Sequence, residues 1–261
     1  MTLPRLVVLS DIHANPEAFL SVLEDIRVYA RPELVVNLGD TVGYGSDPAV
    51  CIDLAIGACD VNLCGNHDYA VVGEAEGFNP VARGAVDFHR SLLRPVGPPA
   101  DDPDRLRRWL WLEGLDPIHT LGEAEFMHAS PRQPVSEYVL PTDPELDPEK
   151  IDVLFSAMSG RVAFMGHTHF PGVIEEDAGQ FWMPDALGPA GYALPAKKRA
   201  LVNVGSVGQP RDRDPRACYV IFDEGRVEYR RVEYDIAAAQ RKIRGVGKLH
   251  DLCAARLADG R

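Results

Sequence analysis

Residues 161–172 read RVAFMGHTHFPG: a run of apolar β-formers ends in Gly166, and two histidines, His167 and His169, follow. Residues two apart on an extended chain point to the same side, so both imidazoles aim at one spot. Two convergent imidazoles favour a metal site, but buried histidines are more often satisfied by hydrogen bonds within a core. The metal interpretation therefore needs matching ligands at equivalent places along the chain.

Apolar runs of the same kind recur along the chain and predict strands. Most are continuously apolar, as expected for strands covered on both faces, and the last alternates, as expected for a strand with one wet face. The runs span residues 5–9, 33–38, 60–64, 125–128, 161–165, 200–204, 217–222 and 226–234.

Helix starts are marked by Asn or Asp followed by Pro, which supplies an N-cap and then a preset first helical residue. A final helix is expected from Asp235 to Leu257, with an interruption at 245–247. Strands that alternate with helices predict an α/β fold, and the β-rich second half predicts a mixed sheet or two stacked sheets. We expect one domain over 1–261, with surface insertions near 93–105 and 171–200. Five such pairs are interpreted as helix starts: residues 15–16, 47–48, 79–80, 102–103 and 147–148.

The composition of the chain limits which binding partners and which cellular compartment are expected. The chain of 261 residues has a formal net charge of −12, so its long-range field repels polyanions and no nucleic-acid polymer is expected. The apolar runs are too short to span a bilayer, and the first residues do not resemble a signal peptide, so no membrane partner is expected. The five cysteines contain no C-x-x-C pair, which disfavours disulfides and structural zinc and predicts a reducing cytoplasm.

Polar side chains suited to a metal or a phosphate follow five of the apolar runs. The carboxyl ends of parallel strands gather at one edge of a sheet, so these side chains are expected to meet there. Five of the eight histidines fall at these ends, which unrelated core histidines do not explain; His89, His119 and His250 are interpreted as structural or surface residues. The residues are Asp11, His13, Asp40, Asn66, His67, Asp68, His128, His167 and His169.

The number of candidate ligands predicts two metal ions. The seven ligands are Asp11, His13, Asp40, Asn66, His128, His167 and His169, more than one transition-metal ion normally takes from a protein. Carboxylate and imidazole without thiolate suit manganese first, with iron, zinc, nickel or cobalt as alternatives, over calcium or magnesium. Two divalent ions that face only two carboxylates leave a cationic pocket, which suits a small phosphate-ester substrate.

With these motifs in order, the sequence resembles the calcineurin-like metallophosphoesterase superfamily. The signature D-x-H, GD, GNH(D/E), H and GHxH appears as SDIHAN (10–15), LGDTVGYG (38–45), LCGNHD (63–68), MHAS (127–130) and GHTH (166–169). The segments 39–48 and 201–223 extend the resemblance to a bacterial branch of small phosphodiesterase-like proteins. The resemblance implies a four-layer α-β-β-α sandwich with two stacked mixed β-sheets.

The resemblance also implies a division of the ligands between the two ions. One ion would be held by Asp11, His13, Asp40 and His169, and the other by Asp40, Asn66, His128 and His167, with Asp40 bridging. His67 would face the phosphate and the leaving group.

Two departures from the family pattern bear on function. Gly43 and Tyr44 stand where protein serine/threonine phosphatases and diadenosine tetraphosphatases carry an Asp-Arg pair, which disfavours a protein phosphatase. Ala14 replaces the glycine of DIHGN. His67 is retained, which favours an enzyme over a non-catalytic metal-binding scaffold of the same fold.

The expected reaction is hydrolysis of a phosphodiester or phosphomonoester, in which a metal-activated hydroxide attacks in line. His67 would protonate the leaving oxygen as a general acid. Asp68 would either orient the His67 ring or serve as a turn residue or helix cap. Asn15 would first cap a helix and secondarily contact substrate. Arg211 would bind substrate phosphate or pair with a neighbouring aspartate; the physiological substrate and the oligomeric state stay open.

Overall fold

Each of the eight apolar runs forms a strand in the computed structural model, which describes residues 3–98 and 101–261. Four short strands that the apolar pattern did not mark (β4, β7, β8 and β9) complete the set. Within the described residues the strands are β1 (Leu6–Leu9), β2 (Leu34–Asn37), β3 (Val61–Asn62), β4 (Ile118–Leu121), β5 (Ala124–Met127), β6 (Val162–Met165), β7 (Gly172–Glu175), β8 (Phe181–Trp182), β9 (Tyr192–Ala193), β10 (Ala200–Asn203), β11 (Ala217–Asp223) and β12 (Arg226–Val232).

The strands form two six-stranded mixed sheets in the described part of the chain. The first sheet has the order β3-β2-β1-β11-β12-β9, with β1, β2 and β3 parallel and the other pairs antiparallel. The second has the order β4-β5-β6-β10-β7-β8, with β5, β6 and β10 parallel. Each sheet therefore presents one edge at which the carboxyl ends of three parallel strands meet.

Five helices begin at the proline of an Asn-Pro or Asp-Pro pair, as predicted. Asn15, Asn79, Asp102 and Asp147 accept a hydrogen bond from the first turn of their helices, whereas Asp47 accepts one from the Ser46 hydroxyl at 2.6 Å. The helices of the described residues are α1 (Pro16–Asp25), α2 (Pro48–Ala58), α3 (Asn66–Val72), α4 (Pro80–Leu93), α5 (Pro103–Glu113), α6 (Asp143–Leu146), α7 (Pro148–Ala157), α8 (Pro184–Leu187), α9 (Ile236–Val246) and α10 (Asp251–Ala255), with a π-helical turn at Ile26–Ala30 and a 3₁₀ turn at Arg256–Ala258.

The two sheets pack face to face, and helices cover both outer faces. Alternate residues of β1 point to opposite sides: Leu6 and Val8 lie in the core between the sheets, with Phe126 and Phe164 of the second sheet. Val7 and Leu9 instead pack against α1 in an outer cluster, and a matching cluster joins α7 to the second sheet. Burial on both faces explains why the strands read as continuous apolar runs. The predicted four-layer α-β-β-α sandwich is confirmed.

Residues 171–200, expected to be a surface insertion, supply β7 and β8 to the second sheet and β9 to the first. Val173 of β7 lies in the core between the sheets. These strands have only two to four residues, too few for a recognisable alternation. The other expected insertion, 93–105, joins α4 to α5 and includes positions 99–100, which lie outside the described residues. None of the helices described here combines the length and the apolar character needed to cross a membrane.

Candidate metal centre

The seven predicted ligands meet where the carboxyl edges of the two sheets face each other. Loops after β1, β2 and β3 of the first sheet deliver four of them, and loops after β5 and β6 of the second sheet deliver three. All are buried except Asn66, which is partly exposed. The first sheet supplies Asp11, His13, Asp40 and Asn66; the second supplies His128, His167 and His169.

One cluster consists of Asp11, His13 and His169. The Nε2 atoms of His13 and His169 are 3.1 Å apart, and Asp11 Oδ1 lies 3.2 Å from His169 Nε2 and 3.6 Å from His13 Nε2. His13 Nδ1–H donates to the Val42 carbonyl at 3.0 Å, and His169 Nδ1–H donates to the Gln209 carbonyl. Each ring therefore carries its proton on Nδ1 and turns the lone pair of Nε2 toward the cluster.

This cluster fits a cation. Two nitrogen lone pairs that face each other at 3.1 Å repel, and Asp11 Oδ1 is buried with no hydrogen-bond partner among the described residues. Buried polar atoms in native proteins almost always have a partner. A divalent ion placed among these three atoms would satisfy all of them with the donor types that transition metals prefer.

A second cluster surrounds His128. Its Nε2 lies 3.5 Å from Asp40 Oδ2, 3.2 Å from Asn66 Oδ1 and 3.1 Å from His167 Nδ1. His167 Nε2–H donates to the Ser136 carbonyl at 3.2 Å, so its Nδ1 lone pair faces the cluster. Asp40 Oδ2 is also 3.6 Å from His13 Nε2, so this oxygen lies between the two clusters. The buried groups Asp40, His128 and His167 could hold a metal ion.

The backbone is strained at the ligands. Left-handed φ values are uncommon for residues other than glycine and cost about 1–3 kcal/mol each, and such strain concentrates at functional sites. Here the left-handed turn changes the direction of the chain directly after a strand end, which points the side chain into the space between the sheets. The residues are Asp11 (φ 56°), His13 (48°), Asp40 (53°), His167 (64°) and His169 (63°).

Glycines allow the motifs to approach closely. A Cβ at Gly65 would lie 2.1 Å from Asp40 Oδ1, and one at Gly166 would lie 2.2 Å from Ser10 Oγ and 2.5 Å from Asp11 Oδ2. The approach brings backbone donors to the carboxylates: His67 N–H donates to Asp40 Oδ1 at 2.8 Å, and His167 N–H donates to Asp11 Oδ2 at 3.0 Å. One oxygen of each carboxylate is thereby fixed, and the other is left for the cluster.

Burial sets the protonation of the histidines. It lowers the pKa of His128 to about 4 and, together with the nearby His128, that of His167 to about 3. Burial also lowers the pKa of His13, His67 and His169, with additional contributions from neighbouring histidines and Arg211. The five imidazoles are therefore neutral at neutral pH, which is the form that binds metals. Burial and the charge of Asp11 raise the pKa of Asp40, and a bound cation would offset both.

His67 lies beside the first cluster and lines a cleft of about 210 Å³ with Tyr44, Phe78 and Tyr138. Its ring centroid is 4.6 Å from that of Tyr44, 4.9 Å from that of Phe78 and 5.1 Å from that of His13. His67 Nδ1 is buried and has no hydrogen-bond partner among the described residues. The cleft gives a small ligand access to this ring.

The structure places Asp68 away from its predicted orienting role. Both of its oxygens accept from backbone amides: those of Gly65 at 3.1 Å, Thr41 at 3.3 Å and Val42 at 3.1 Å. These bonds fix the start of α3 and the loop after Asp40, as expected for the cap alternative. The Asp68 carboxylate therefore binds backbone amides rather than the His67 ring.

Asn15 and Arg211 differ in how their polar groups are used. Asn15 Oδ1 accepts from Ala18 N–H at 3.2 Å, and Nδ2 donates to the Gly208 carbonyl at 2.9 Å, so the buried side chain serves as the predicted cap. The neighbouring aspartates bind other arginines, Asp212 to Arg231 and Asp214 to Arg216. Arg211 therefore keeps its guanidinium beside the centre, where Nη2 donates to Gln209 Oε1 at 2.9 Å.

Several residues at the centre were not predicted from sequence. His89 is fully buried in α4; its Nδ1 accepts from Gly43 N–H and its Nε2 faces the Gly45 carbonyl, both at 2.9 Å. It thereby holds the loop that carries Tyr44. The ring of Tyr138 lies 4.1 Å from that of His167. These residues lie in helices or loops with no local motif, so only the three-dimensional arrangement identifies them.

Comparison with known proteins finds relatives that match nearly the whole chain. Residues 5–226 match the family model described as the calcineurin-like phosphoesterase superfamily domain. A solved metallophosphoesterase from Sphaerobacter thermophilus is 34% identical, with 99% of each chain covered and a TM-score of 0.81. An uncharacterised protein of Methanocaldococcus jannaschii is 33% identical over 255 residues, 93% of each chain. A hypothetical protein from Pyrococcus horikoshii, 16% identical with 98% of each chain covered and a TM-score of 0.74, shares the fold.

Proposed function

The chain is a member of the calcineurin-like phosphoesterase superfamily, and we propose that it hydrolyses phosphodiesters or phosphomonoesters with two bound divalent metal ions. The observation that carries this proposal is the position of Asp40. Its Oδ2 lies 3.6 Å from His13 Nε2 in one cluster and 3.5 Å from His128 Nε2 in the other. A carboxylate oxygen between two sets of imidazoles suits a shared ligand of a metal pair.

The two clusters define the ligands of each ion in this proposal. Asp11, His13, Asp40 and His169 would hold one ion, and Asp40, Asn66, His128 and His167 the other. Oxygen and imidazole donors favour manganese, with iron, zinc, nickel or cobalt as alternatives. When bound, such ions supply positive charge to the phosphoryl oxygens and acidify the water that attacks phosphorus.

His67 would supply the proton to the leaving oxygen. Its Nδ1 is buried without a partner, and the ring lines the cleft beside the first cluster. Burial and the charge of Arg211 lower the pKa of His67, so the ring is neutral before substrate binds. A bound phosphate ester brings negative charge close to the ring, which raises its pKa toward the range that suits proton transfer.

The overall charge of −12 requires local capture of the substrate. Arg211 supplies positive charge at the edge of the centre, since the charge of its guanidinium acts on His13, His67 and His169. The cleft is small and aromatic, which suits a small phosphate ester better than a polymer.

A substrate panel tests the proposal. Bis-p-nitrophenyl phosphate and p-nitrophenyl phosphate are incubated with EDTA-treated protein and then with Mn²⁺, Ni²⁺, Zn²⁺ or Co²⁺ added. We expect turnover that depends on metal, that is abolished by Asp40→Asn and that survives Asp152→Asn, a matched change on the exposed face of α7. The absence of turnover with every metal would contradict the proposal and favour a non-catalytic metal-binding scaffold. A phosphoserine peptide is included in the panel, and turnover of this peptide alone would instead favour a protein phosphatase.

A further inference from the structure

Arg211 and Arg256 lie together beside Tyr44. The guanidinium carbon of Arg211 is 5.7 Å from the centroid of the Tyr44 ring, and that of Arg256 is 5.8 Å from the same centroid. The two side chains also share one acceptor: Gln209 Oε1 accepts from Arg211 Nη2 at 2.9 Å and from Arg256 Nη1 at 3.1 Å. Arg211 follows β10 and Arg256 begins the last 3₁₀ turn, so only the tertiary fold pairs them.

Neither of these arginines is neutralised. Among the described residues no carboxylate lies within 4.0 Å of either guanidinium, although the partly buried arginines Arg108, Arg199, Arg230 and Arg231 all have one. The positions outside the described residues, 1–2 and 99–100, contain no acidic side chain that could serve. The Nε atoms of Arg211 and Arg256 are both buried without a hydrogen-bond partner.

This arrangement is unfavourable without an anion. Two like charges that are partly withdrawn from water repel each other, and the unpaired Nε–H groups forgo a hydrogen bond that water would have given them. Burial and the charge of Arg211 lower the pKa of Arg256, which reports the same conflict. An oxyanion bound by the two guanidinium groups would neutralise their charge and accept charge-assisted hydrogen bonds from them.

The position of the pair connects it to the metal centre. The ring of Tyr44 that both arginines approach lies 4.8 Å from the ring of His13 and 4.6 Å from that of His67. The Tyr44 ring would therefore lie between an anion at the arginine pair and the His13 ring of the first metal cluster. That separation suits a second charged group on the molecule whose phosphate ester is cleaved at the metals.

We propose that Arg211 and Arg256 bind a second phosphoryl group of the substrate, so that the protein prefers phosphate esters that carry another phosphate over simple alkyl or aryl phosphates. The inference rests on the proposed hydrolase function and adds a substrate class to it. A phosphoryl group fits better than a carboxylate, because its three oxygens can accept from two guanidinium forks at once.

The kinetic test compares two esters that differ by one phosphate: propane-1,3-diol bisphosphate and 3-hydroxypropyl phosphate. We expect the wild-type protein to favour the bisphosphate in kcat/KM, and Arg256→Gln to lower this preference about 10- to 100-fold, as for loss of a charge-assisted hydrogen bond. Arg241→Gln, on the exposed face of α9, is the matched control and should keep the wild-type preference. A third ester, 3-carboxypropyl phosphate, tests whether a carboxylate can replace the second phosphate at Arg211 and Arg256.

A binding measurement makes the test independent of turnover. Calorimetry with EDTA-treated protein follows the binding of inorganic phosphate. The expected result is an affinity that falls about tenfold or more in Arg256→Gln and Arg211→Gln, is partly kept in Arg256→Lys and is unchanged in Arg241→Gln. The melting temperature of each variant, measured alongside, separates loss of binding from loss of folding.

The outcomes separate the two proposals. If neither these two esters nor the two nitrophenyl esters are turned over with any metal, the hydrolase function fails, and with it the assignment of a second substrate phosphate. If only the nitrophenyl esters are turned over, the hydrolase function stands and the inference is overturned. If both esters are turned over with equal kcat/KM, or if Arg256→Gln slows both equally, the hydrolase function stands and the inference is overturned. Phosphate affinity that is the same in the wild type and in folded Arg211 and Arg256 variants would also overturn it.

Discussion

At the scale of the single residue, backbone carbonyls orient the rings of three of the four predicted ligand histidines. Val42 and Gln209 take the Nδ1–H of His13 and His169, and Ser136 takes the Nε2–H of His167. The other ring nitrogen of each of these histidines therefore carries a lone pair that faces the centre. These carbonyls would thus prepare the site for a metal ion that they do not themselves contact.

His67 lines the cleft and is not one of the seven predicted metal ligands. Replacing it with Gln should lower turnover about 10²–10⁴-fold for an alkyl phosphate, whose leaving oxygen needs a proton. The loss should be much smaller for p-nitrophenyl phosphate, which has a good leaving group. Steady-state kinetics on both esters, with metal content measured in each preparation, provide the comparison. Equal losses for the two esters would contradict a general-acid role.

His89 predicts a pH dependence of stability. Burial lowers the pKa of His89 from 6.5 to about 4, so between these values the unfolded chain binds a proton that the folded chain does not. Folding stability therefore rises with pH across this window and falls as pH drops through it. His89→Leu should destabilise the protein by about 2 kcal/mol or more near neutral pH, because Gly43 N–H and the Gly45 carbonyl lose their partner.

That difference between wild type and variant should shrink by about 2 kcal/mol on going from about pH 7 to about pH 5, since only the wild type loses the His89 contribution. Urea denaturation of EDTA-treated proteins at both pH values measures it. A difference that stays constant with pH would show that His89 is not buried in the neutral form.

At the scale of the element, the decisive feature is the strand end. A strand that stops in a left-handed residue turns its next side chain inward, and a glycine beside it lets a second strand end come close. Gly166 does this for β6: its Cα hydrogen faces Ser10 and Asp11 at the end of β1, where a methyl group would not fit. The contact joins an element of each sheet.

Gly166→Ala should therefore damage the centre as well as the fold. The added methyl displaces Ser10 and Asp11 and should cost about 1–3 kcal/mol by overpacking, with a loss of metal affinity. Gly84→Ala is the matched control: it lies within α4 with open space around the new methyl, and should stabilise by about 0.5–1 kcal/mol. Thermal unfolding and metal titration of both variants check this. Wild-type metal affinity in Gly166→Ala would refute the steric argument.

At the scale of the whole molecule, the metal centre is a junction between the two sheets. Four of its ligands come from the first sheet and three from the second. The apolar core joins the sheets along their faces. At this edge the Nε2 lone pairs of His13, from the first sheet, and His169, from the second, face each other. Cations would turn that repulsion into a cross-link.

Metal should accordingly stabilise the fold. Adding Mn²⁺ to EDTA-treated protein at about 100 times its dissociation constant should raise the free energy of unfolding by about 3 kcal/mol. Asp40→Asn should lose most of this gain, because Asp40 belongs to both clusters, whereas Asp152→Asn should keep it. Denaturation curves with and without Mn²⁺ test the prediction. A gain that persists in Asp40→Asn would place the stabilising ion elsewhere.

The family resemblance implied the four-layer arrangement. The patterns of the sequence by themselves determined the main strands and the candidate ligands of the metal centre. Both depend on local rules: a strand buried on both faces must be apolar throughout, and ligands at strand ends follow their apolar runs directly, as at Asp40 and His128. The starts of five helices also followed from a two-residue signal.

The tertiary structure alone decided how these local pieces combine. It placed the ligands on two facing sheets, turned Asp68 toward the backbone, and built β7, β8 and β9 from a stretch with no clear pattern. It also brought Arg256 beside Arg211 across 45 residues of chain. Such contacts arise from packing between segments that are distant in sequence, and a side chain whose role is set by a distant partner carries no periodic or local signal of it.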